Sequence, residues 1–333
     1  MNRQTESNHR PGPWEVVSNE NGIRTVKIPN FRSFFEFVDR GFGDFDTTYL
    51  WRGQQNAEWK VLSKLARTGK EEFGHLANYR KAIAKCTNIE YDISSENPNA
   101  EHEKQRLWSL GQHHGLATPL IDWSVYPYVA LFFAFAETSE TLRERAVYAL
   151  NWGEVQGLNF HIVNPWFSQF KEKINNPPYD DAFKCHLHEH YDGNFPNNVH
   201  LIDESQLSAS VRDRLCKWEL TRLQSQRLEL YTSQSSDNPR IHHQGGMHIF
   251  TPGDISVEEW VEKYSSIRHE GLSKIPILVK IQMPNAERTN ILRSLNKMNI
   301  NYLSLFPDFE GAAKHCNMAL LEQEPHRMGL REY

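Results

Sequence analysis

The sequence predicts an α+β fold in which a mixed sheet carries flanking helices and one irregular insertion. Three observations lead there. Short β-branched runs alternate with helical stretches along the 333 residues. One stretch, residues 127–137, is apolar on most helical faces through Val129, Ala130, Phe132, Phe133 and Ala136, as a helix inside a core must be. No Gly/Ser linker divides the chain, and no internal repeat or low-complexity tract interrupts it.

The elements follow in order. Residues 1–13 read as a flexible polar tail. Ile23, Thr25, Val26 and Ile28 predict a strand over 23–28, with a clean alternation only at Val26-Lys27-Ile28. Phe34, Phe35, Phe37 and Val38 predict a helix over 31–40, with Asn30 as its N-cap. Residues 48–52 form the next strand, ending at Gly53. A helical stretch runs over about 71–90 and resumes after Asn97-Pro98 to about 110. Residues 116–121 read as extended, Asp122-Trp123-Ser124 as a turn and helix start, and 146–151 as a strand. Residues 153–205, rich in Asn, Pro, His and aromatics, read as an insertion with little regular structure. A helix over 206–229 follows. Strands at 247–250 and 277–281 then alternate with helices at 257–264, 287–296 and 308–316.

Composition excludes several classes. The hydrophobic and charged fractions are those of an ordinary globular protein. A net charge of −5 lacks the basic excess of a protein that coats duplex nucleic acid, although one local cationic groove is compatible with it. Cys86, Cys185, Cys216 and Cys316 are scattered, which excludes a Cys-x-x-Cys zinc site and a disulfide framework. Reduced thiols suit a cytoplasmic protein. The first residues have no apolar core of a signal peptide. The longest apolar run, 128–136, falls short of the roughly 20 residues that span a bilayer.

Five segments carry candidate chemistry. In Trp51-Arg52-Gly53-Gln54, a strand-end arginine offers a guanidinium fork that matches phosphate or carboxylate, and the glycine allows close approach to the backbone. His113-His114 stand at adjacent positions, on different faces of either regular structure. That disfavours a shared metal and leaves one of them as a donor toward a ligand, or as an acid/base group. Asp122-Trp123-Ser124 offers a carboxylate, a flat aromatic face and a hydroxyl that is also a natural helix cap. His242-His243-Gln244-Gly245-Gly246 suggests a tight turn with an amide that can fix a hydroxyl. Asp308 and Glu310 open the last helix, where the dipole alone favours acids. No Walker A, Gly-x-Gly-x-x-Gly, His-Glu-x-x-His or Gly-x-Ser-x-Gly pattern is present.

Taken in order, these blocks resemble the FRG domain family, named for an aromatic-Arg-Gly motif. The blocks are Phe34 to Val38 with Trp51-Arg52-Gly53-Gln54; Gly111 through Ser124 continuing into Pro127 through Ala134; Pro239 through Gly246; and Ser304 through Gly311. They stretch over about 31–316, and the resemblance implies one FRG-type domain over 14–333. The motif order is also similar to the ADP-ribosyltransferase fold of the Arg–Ser–Glu type, which implies a split mixed sheet. By that likeness Arg52, with Gly53 and Gln54, grips NAD, which is the substrate. Ser124 orients the nicotinamide ribose, and His113, His114, Asp122 and Trp123 complete the NAD site. The glutamate of that pattern is replaced here by Gln244, which cannot oppose a developing cation, leaving Asp122 or Glu310 to do so.

The function implied is an NAD-dependent ADP-ribosyltransferase acting on a nucleic acid, nucleotide or protein acceptor. A toxin or anti-phage defence role, with a neutralising partner protein, goes with it, and no membrane partner is expected. Two alternatives stay open: a noncatalytic nucleotide- or nucleic-acid-binding module, and a metal-independent nuclease using His113 or His114.

Overall fold

Backbone pairing joins eight strands into one mixed sheet. The computed structural model describes residues 12–42, 49–69, 74–94, 96–190, 207–231, 239–253, 255–267 and 275–321. Most of the tail expected at 1–13, the first residues of the helix expected from 71, and 191–205 of the expected insertion lie outside the described residues. The elements are β1 (Glu15–Glu20), β2 (Ile23–Lys27), α1 (Phe31–Gly41), β3 (Tyr49–Gln54), α2 (His75–Thr87) and α3 (Ala100–His113). Then come β4 (Leu120–Ser124), α4 (Pro127–Phe135), β5 (Glu144–Asn151), α5 (Trp152–Asn175), α6 (Asp181–His190), α7 (Ala209–Gln224) and β6 (Glu229–Tyr231). The chain continues through α8 (Pro239–Gln244), β7 (Gly246–Phe250), α9 (Val257–Tyr264), β8 (Leu278–Pro284), α10 (Arg288–Lys297), α11 (Tyr302–Leu305) and α12 (Phe309–Leu321).

Chain contacts divide the molecule into two compact units, Met1–Glu154 with Glu229–Tyr333, and Val155–Leu228. The first unit holds the whole sheet, in the order β1-β2-β8-β5-β3-β4-β7-β6. Only β2 and β8 run parallel; the other pairs are antiparallel. The central strand β5 is buried from Arg145 to Asn151, which is why its sequence reads as a nearly continuous apolar run. β3 meets β4 through a single residue pair, Trp51 with Ser124, while it pairs with β5 along its full length. The sheet is therefore nearly split at this seam.

α4 sits against one side of the sheet and forms the centre of the main core with Phe34, Trp51, Val147, Ile281 and Leu292. Pro127 starts it at a position where its missing N–H costs nothing. Two arginines finish it. Arg145, fully buried, donates to Ala134 O and Glu137 O at 2.7 Å each and to Asn285 Oδ1 at 2.6 Å. Arg288 donates to Phe135 O at 2.9 Å and Ala136 O at 2.8 Å. Four carbonyls that a helix end leaves without intrahelical donors are thus satisfied by cations, as the dipole favours.

The second unit corrects the expectation of an irregular insertion. Among its described residues, α5, α6 and α7 are regular helices around a small core of Phe170, Ile174, Tyr179, Phe183, Leu187, Leu207 and Leu215. The aromatics that made the segment look irregular supply this core. Its buried Glu219 accepts from Arg222 Nε and Nη2, one on each carboxylate oxygen, at 2.7 Å each.

Two local readings also change. Asp122, Trp123 and Ser124 end a strand instead of opening a helix: each pairs with β7, and α4 begins three residues later. The turn preference of Asp and Ser yields here to the ladder of an interior strand. The expected turn near 242–246 is a short helix, α8, closed by Gly245 at φ +53. A side chain at Gly245 would also strike the Tyr126 ring, at 2.5 Å.

Candidate functional site

Side chains alternate across a strand, and that alternation builds the site. On β3, Trp51 faces α4 in the core and a Cβ on Gly53 would meet Ala130 O at 2.0 Å and Ala134 N at 2.5 Å. Arg52 and Gln54 therefore face the opposite side. Gly53 is small so that β3 can lie on α4, a closer constraint than the ligand approach expected of it. Beyond the Trp51–Ser124 pair, β3 and β4 share no further ladder, and a cleft of about 590 Å³ opens along this seam. That volume lies within the usual range for small-molecule sites.

Arg52 spans the seam. Its Nη1 donates to the main-chain oxygen of Asp122 at 2.5 Å, and its Nε is buried with no hydrogen-bond partner among the described residues. Burial pulls its pKa down, and the charge of Asp122 opposes that shift. Arginine still carries its charge at any pH of interest. The Trp123 indole N–H, another donor in the cleft lining, is likewise buried without a partner. Buried donors of this kind call for an acceptor, and a ligand is one source.

The Asp122 side chain is 65% exposed, and it opens to the cleft. One of its oxygens is held twice: Gln112 Nε2 donates to Oδ1 at 3.0 Å, and His248 Nε2 lies 3.3 Å from the same atom. Gln112 is itself fixed by the hydroxyl of Thr118, which donates to its amide oxygen. His248, directly opposite Asp122 on β7 and nearly buried, contacts Ser109 Oγ through Nδ1 at 3.3 Å. Desolvation alone would raise the carboxyl pKa. The hydrogen bond and charge of His248, then Arg52 and Gln112, outweigh it and bring Asp122 down to about 2. Asp122 is therefore a fixed anion at neutral pH.

The remaining expected site residues fall in different places. Gln54 lines the cleft, and its amide donates to Trp59 O at 2.5 Å, anchoring the loop that carries the half-exposed Trp59 indole. Ser124 is buried; its hydroxyl donates to Gln244 O at 2.6 Å and accepts from Tyr126 N at 2.9 Å. Gln244 lines the cleft while its amide donates to Leu305 O at 3.0 Å. His113 lines the cleft, with a pKa lowered by burial first and then by His114 and Arg240. His114 is outside the lining and packs edge-on against the His113 ring at 4.8 Å. Glu310 is outside it as well, paired with Arg240 and Lys314 at 2.9 Å each. No group of three His, Cys, Asp or Glu among the described residues is placed to hold a metal.

Sequence reasoning passed over His248, Ser109, Lys64, Arg67 and Trp59. One signal was present: His248 is a polar residue in the middle of an apolar strand. Ser109 and Gln112 are three apart on α3 and so share a helical face. Lys64 and Arg67 lie in a connecting segment without periodicity, where sequence offers no sign of their direction.

Among the described residues, four cations, Arg52, Lys64, Arg67 and Arg240, line the cleft, and Asp122 is its sole acidic residue. Arg240 is offset by Asp308 at 2.6 Å and by Glu310, but Arg52, Lys64 and Arg67 have no ion-pair partner among the described residues. The cleft of this α+β domain thus sets three cations without ion-pair partners beside one carboxylate, at the seam of a nearly split sheet. Residues 47–142, which carry β3, α3, β4 and α4, match the FRG domain, and the chain therefore carries an FRG domain. The chain matches no curated protein and no solved structure. No helix among the described residues is long and apolar enough to cross a membrane.

Proposed function

We propose that the cleft binds NAD and transfers its ADP-ribosyl group to an acceptor. The observation that carries this is Asp122, a carboxylate held anionic in a cleft whose other charged lining residues, among those described, are cations. Arg52, Arg67 and Lys64 suit the pyrophosphate, since each is a donor without a protein carboxylate to satisfy it. The half-exposed Trp59 offers a flat face to a ring. With Oδ1 anchored by Gln112 and His248, Asp122 has its second oxygen left to face the ribose. Its negative charge opposes the positive charge that grows on the anomeric carbon as nicotinamide leaves. This is the role that Gln244 cannot fill and that Glu310, outside the cleft, is not placed to fill. The near-split sheet, with Trp51 and Ser124 paired at the seam and Arg52 reaching across it to Asp122 O, suits the ADP-ribosyltransferase likeness. A toxin or defence role remains an extension of that likeness, and the acceptor, whether nucleic acid, nucleotide or protein, is open.

A second reading has its own observation. The Ser124 hydroxyl and the Gln244 amide are both committed to internal bonds, as they would be in a cleft that binds a nucleotide without chemistry. Nicotinamide release from NAD by the purified chain separates the two, measured with and without RNA, DNA and cell lysate. Release that collapses in Asp122→Asn supports transfer. NAD binding without release under any of these conditions selects the noncatalytic module.

A further inference from the structure

Ser109, His248 and Asp122 form a connected line that neither the cationic cluster nor the ribose contact explains. Ser109 Oγ lies 3.3 Å from His248 Nδ1, and His248 Nε2 lies 3.3 Å from Asp122 Oδ1. With Nε2 donating to the carboxylate, a neutral imidazole presents Nδ1 as an acceptor, so the Ser109 proton points into the ring. A hydroxyl beside a base that is oriented by a third group is the arrangement that activates a nucleophile. The ring is fixed from three directions: β7 carries it, Asp122 on β4 holds one nitrogen, and Ser109 on α3 holds the other. Ser109 lines the same cleft as Asp122 and is half-buried, so its side chain is not sealed in the core.

The geometry points to Ser109 as an acceptor of the ADP-ribosyl group, which makes it a self-modification site in the cleft. This rests on the transferase reading above. The bond between the anomeric carbon and the nicotinamide nitrogen breaks, and nicotinamide leaves neutral with the electron pair. The cationic ribosyl carbon, opposed by Asp122, is captured by Ser109 Oγ. The Ser109 proton passes to His248 Nδ1, and the imidazolium formed is stabilised by Asp122. The product is an O-glycoside on serine, so no oxidant or further reactant is required. An occupied Ser109 would fill part of the cleft, so a molecule modified there is blocked to further substrate.

The test uses the full chain incubated with NAD alone. Released nicotinamide is quantified, and fragment mass spectra locate any adduct. A single ADP-ribosyl adduct on Ser109 is the expected result. Replacing the base, His248→Gln, slows its appearance by roughly 100-fold, at the lower end for loss of a positioned acid/base group. Ser109→Thr keeps a hydroxyl and retains an adduct at position 109; Ser109→Ala loses it, and melting curves of both variants check that they fold. Nicotinamide release with no adduct at position 109, or with the adduct elsewhere, overturns the proposal and leaves the transferase reading standing. An unchanged rate in a folded His248→Gln protein overturns the role of the base. No release of nicotinamide from NAD alone overturns self-modification; release that appears only with RNA, DNA or lysate leaves the transferase reading standing, and no release under any of these conditions overturns both.

Discussion

Arg52 Nη1 donates to the main-chain oxygen of Asp122 at 2.5 Å, across the one place where β3 and β4 part. This bond ties a buried cation of the cleft to the strand that carries the one carboxylate lining it among the described residues. Position and charge at the seam are consequently coupled: a change at Arg52 disturbs the backbone on which Asp122 rides.

Arg52→Ala is therefore expected to act twice. Nicotinamide release should fall by roughly 100-fold or more, the usual cost of removing a donor that stabilises charge in a transition state. The Asp122 carbonyl loses its partner, which costs about 1–3 kcal/mol where water cannot replace it. Urea unfolding beside the release assay reads both effects. Full activity in a folded variant would remove Arg52 from the site.

Asp122→Asn keeps the shape of the side chain while removing its charge. NAD binding, followed by calorimetry, should hold or tighten slightly as a negative charge leaves the cleft. Turnover should drop by at least 100-fold. A parallel loss of binding and turnover would mean that Asp122 shapes the cleft and does not serve the reaction.

Gln244→Glu places a carboxylate where the Arg–Ser–Glu pattern has one. The native amide donates to Leu305 O, and a carboxylate facing that carbonyl cannot donate. The expected result is no gain in nicotinamide release, with a loss of about 1–3 kcal/mol in stability from the carbonyl left unpaired. A clear rise in release would return the catalytic position to residue 244.

Acid should destabilise the protein in a defined window. Asp122 titrates at about 2 when folded, against an ordinary 3.8, and Glu259 at about 2 against 4.5, held chiefly by Lys60 and Ser256. Both folded values are depressed, so their contribution is complete above the unfolded values. It is lost as pH falls from about 4.5 toward 2. Melting temperatures from pH 6 to 2 should fall in that window, and Asp122→Asn should show a shallower fall. An equal slope in both proteins would show that the network does not favour the ionised carboxylate.

Gly53→Ala probes the contact that directs Arg52. The added Cβ would meet Ala130 O at 2.0 Å, so β3 or α4 must shift. A loss of about 1–3 kcal/mol, in the range for overpacking, should accompany reduced NAD affinity as Arg52 moves with its strand. Denaturant midpoint and calorimetry check the two together.

The sequence by itself determined the elements whose pattern is local. The apolar run at 128–136 had to be a buried helix, Asn30 was legible as a cap, and it does accept from Ser33 N at 3.0 Å. The FRG domain matched over 47–142 was legible too, because its blocks at 51–54 and 111–134 are each an unbroken run of residues. Arg52 and Asp122 stood out as charged residues in dense motif blocks, although Arg52, expected at a strand end, lies within β3 and pairs with Tyr148. Tertiary structure alone decided the rest. It turned Asp122-Trp123-Ser124 from a turn into a strand end, because pairing with β7 outweighs the local turn preference of Asp and Ser. It made helices of residues expected to be irregular, because their aromatics pack on one another and not in a repeating pattern. Above all, it brought His248 beneath Asp122 from 126 positions away along the chain, with Ser109 on the other side of the ring. Which strand neighbours which is set by long-range pairing and burial, and no spacing in the sequence records it.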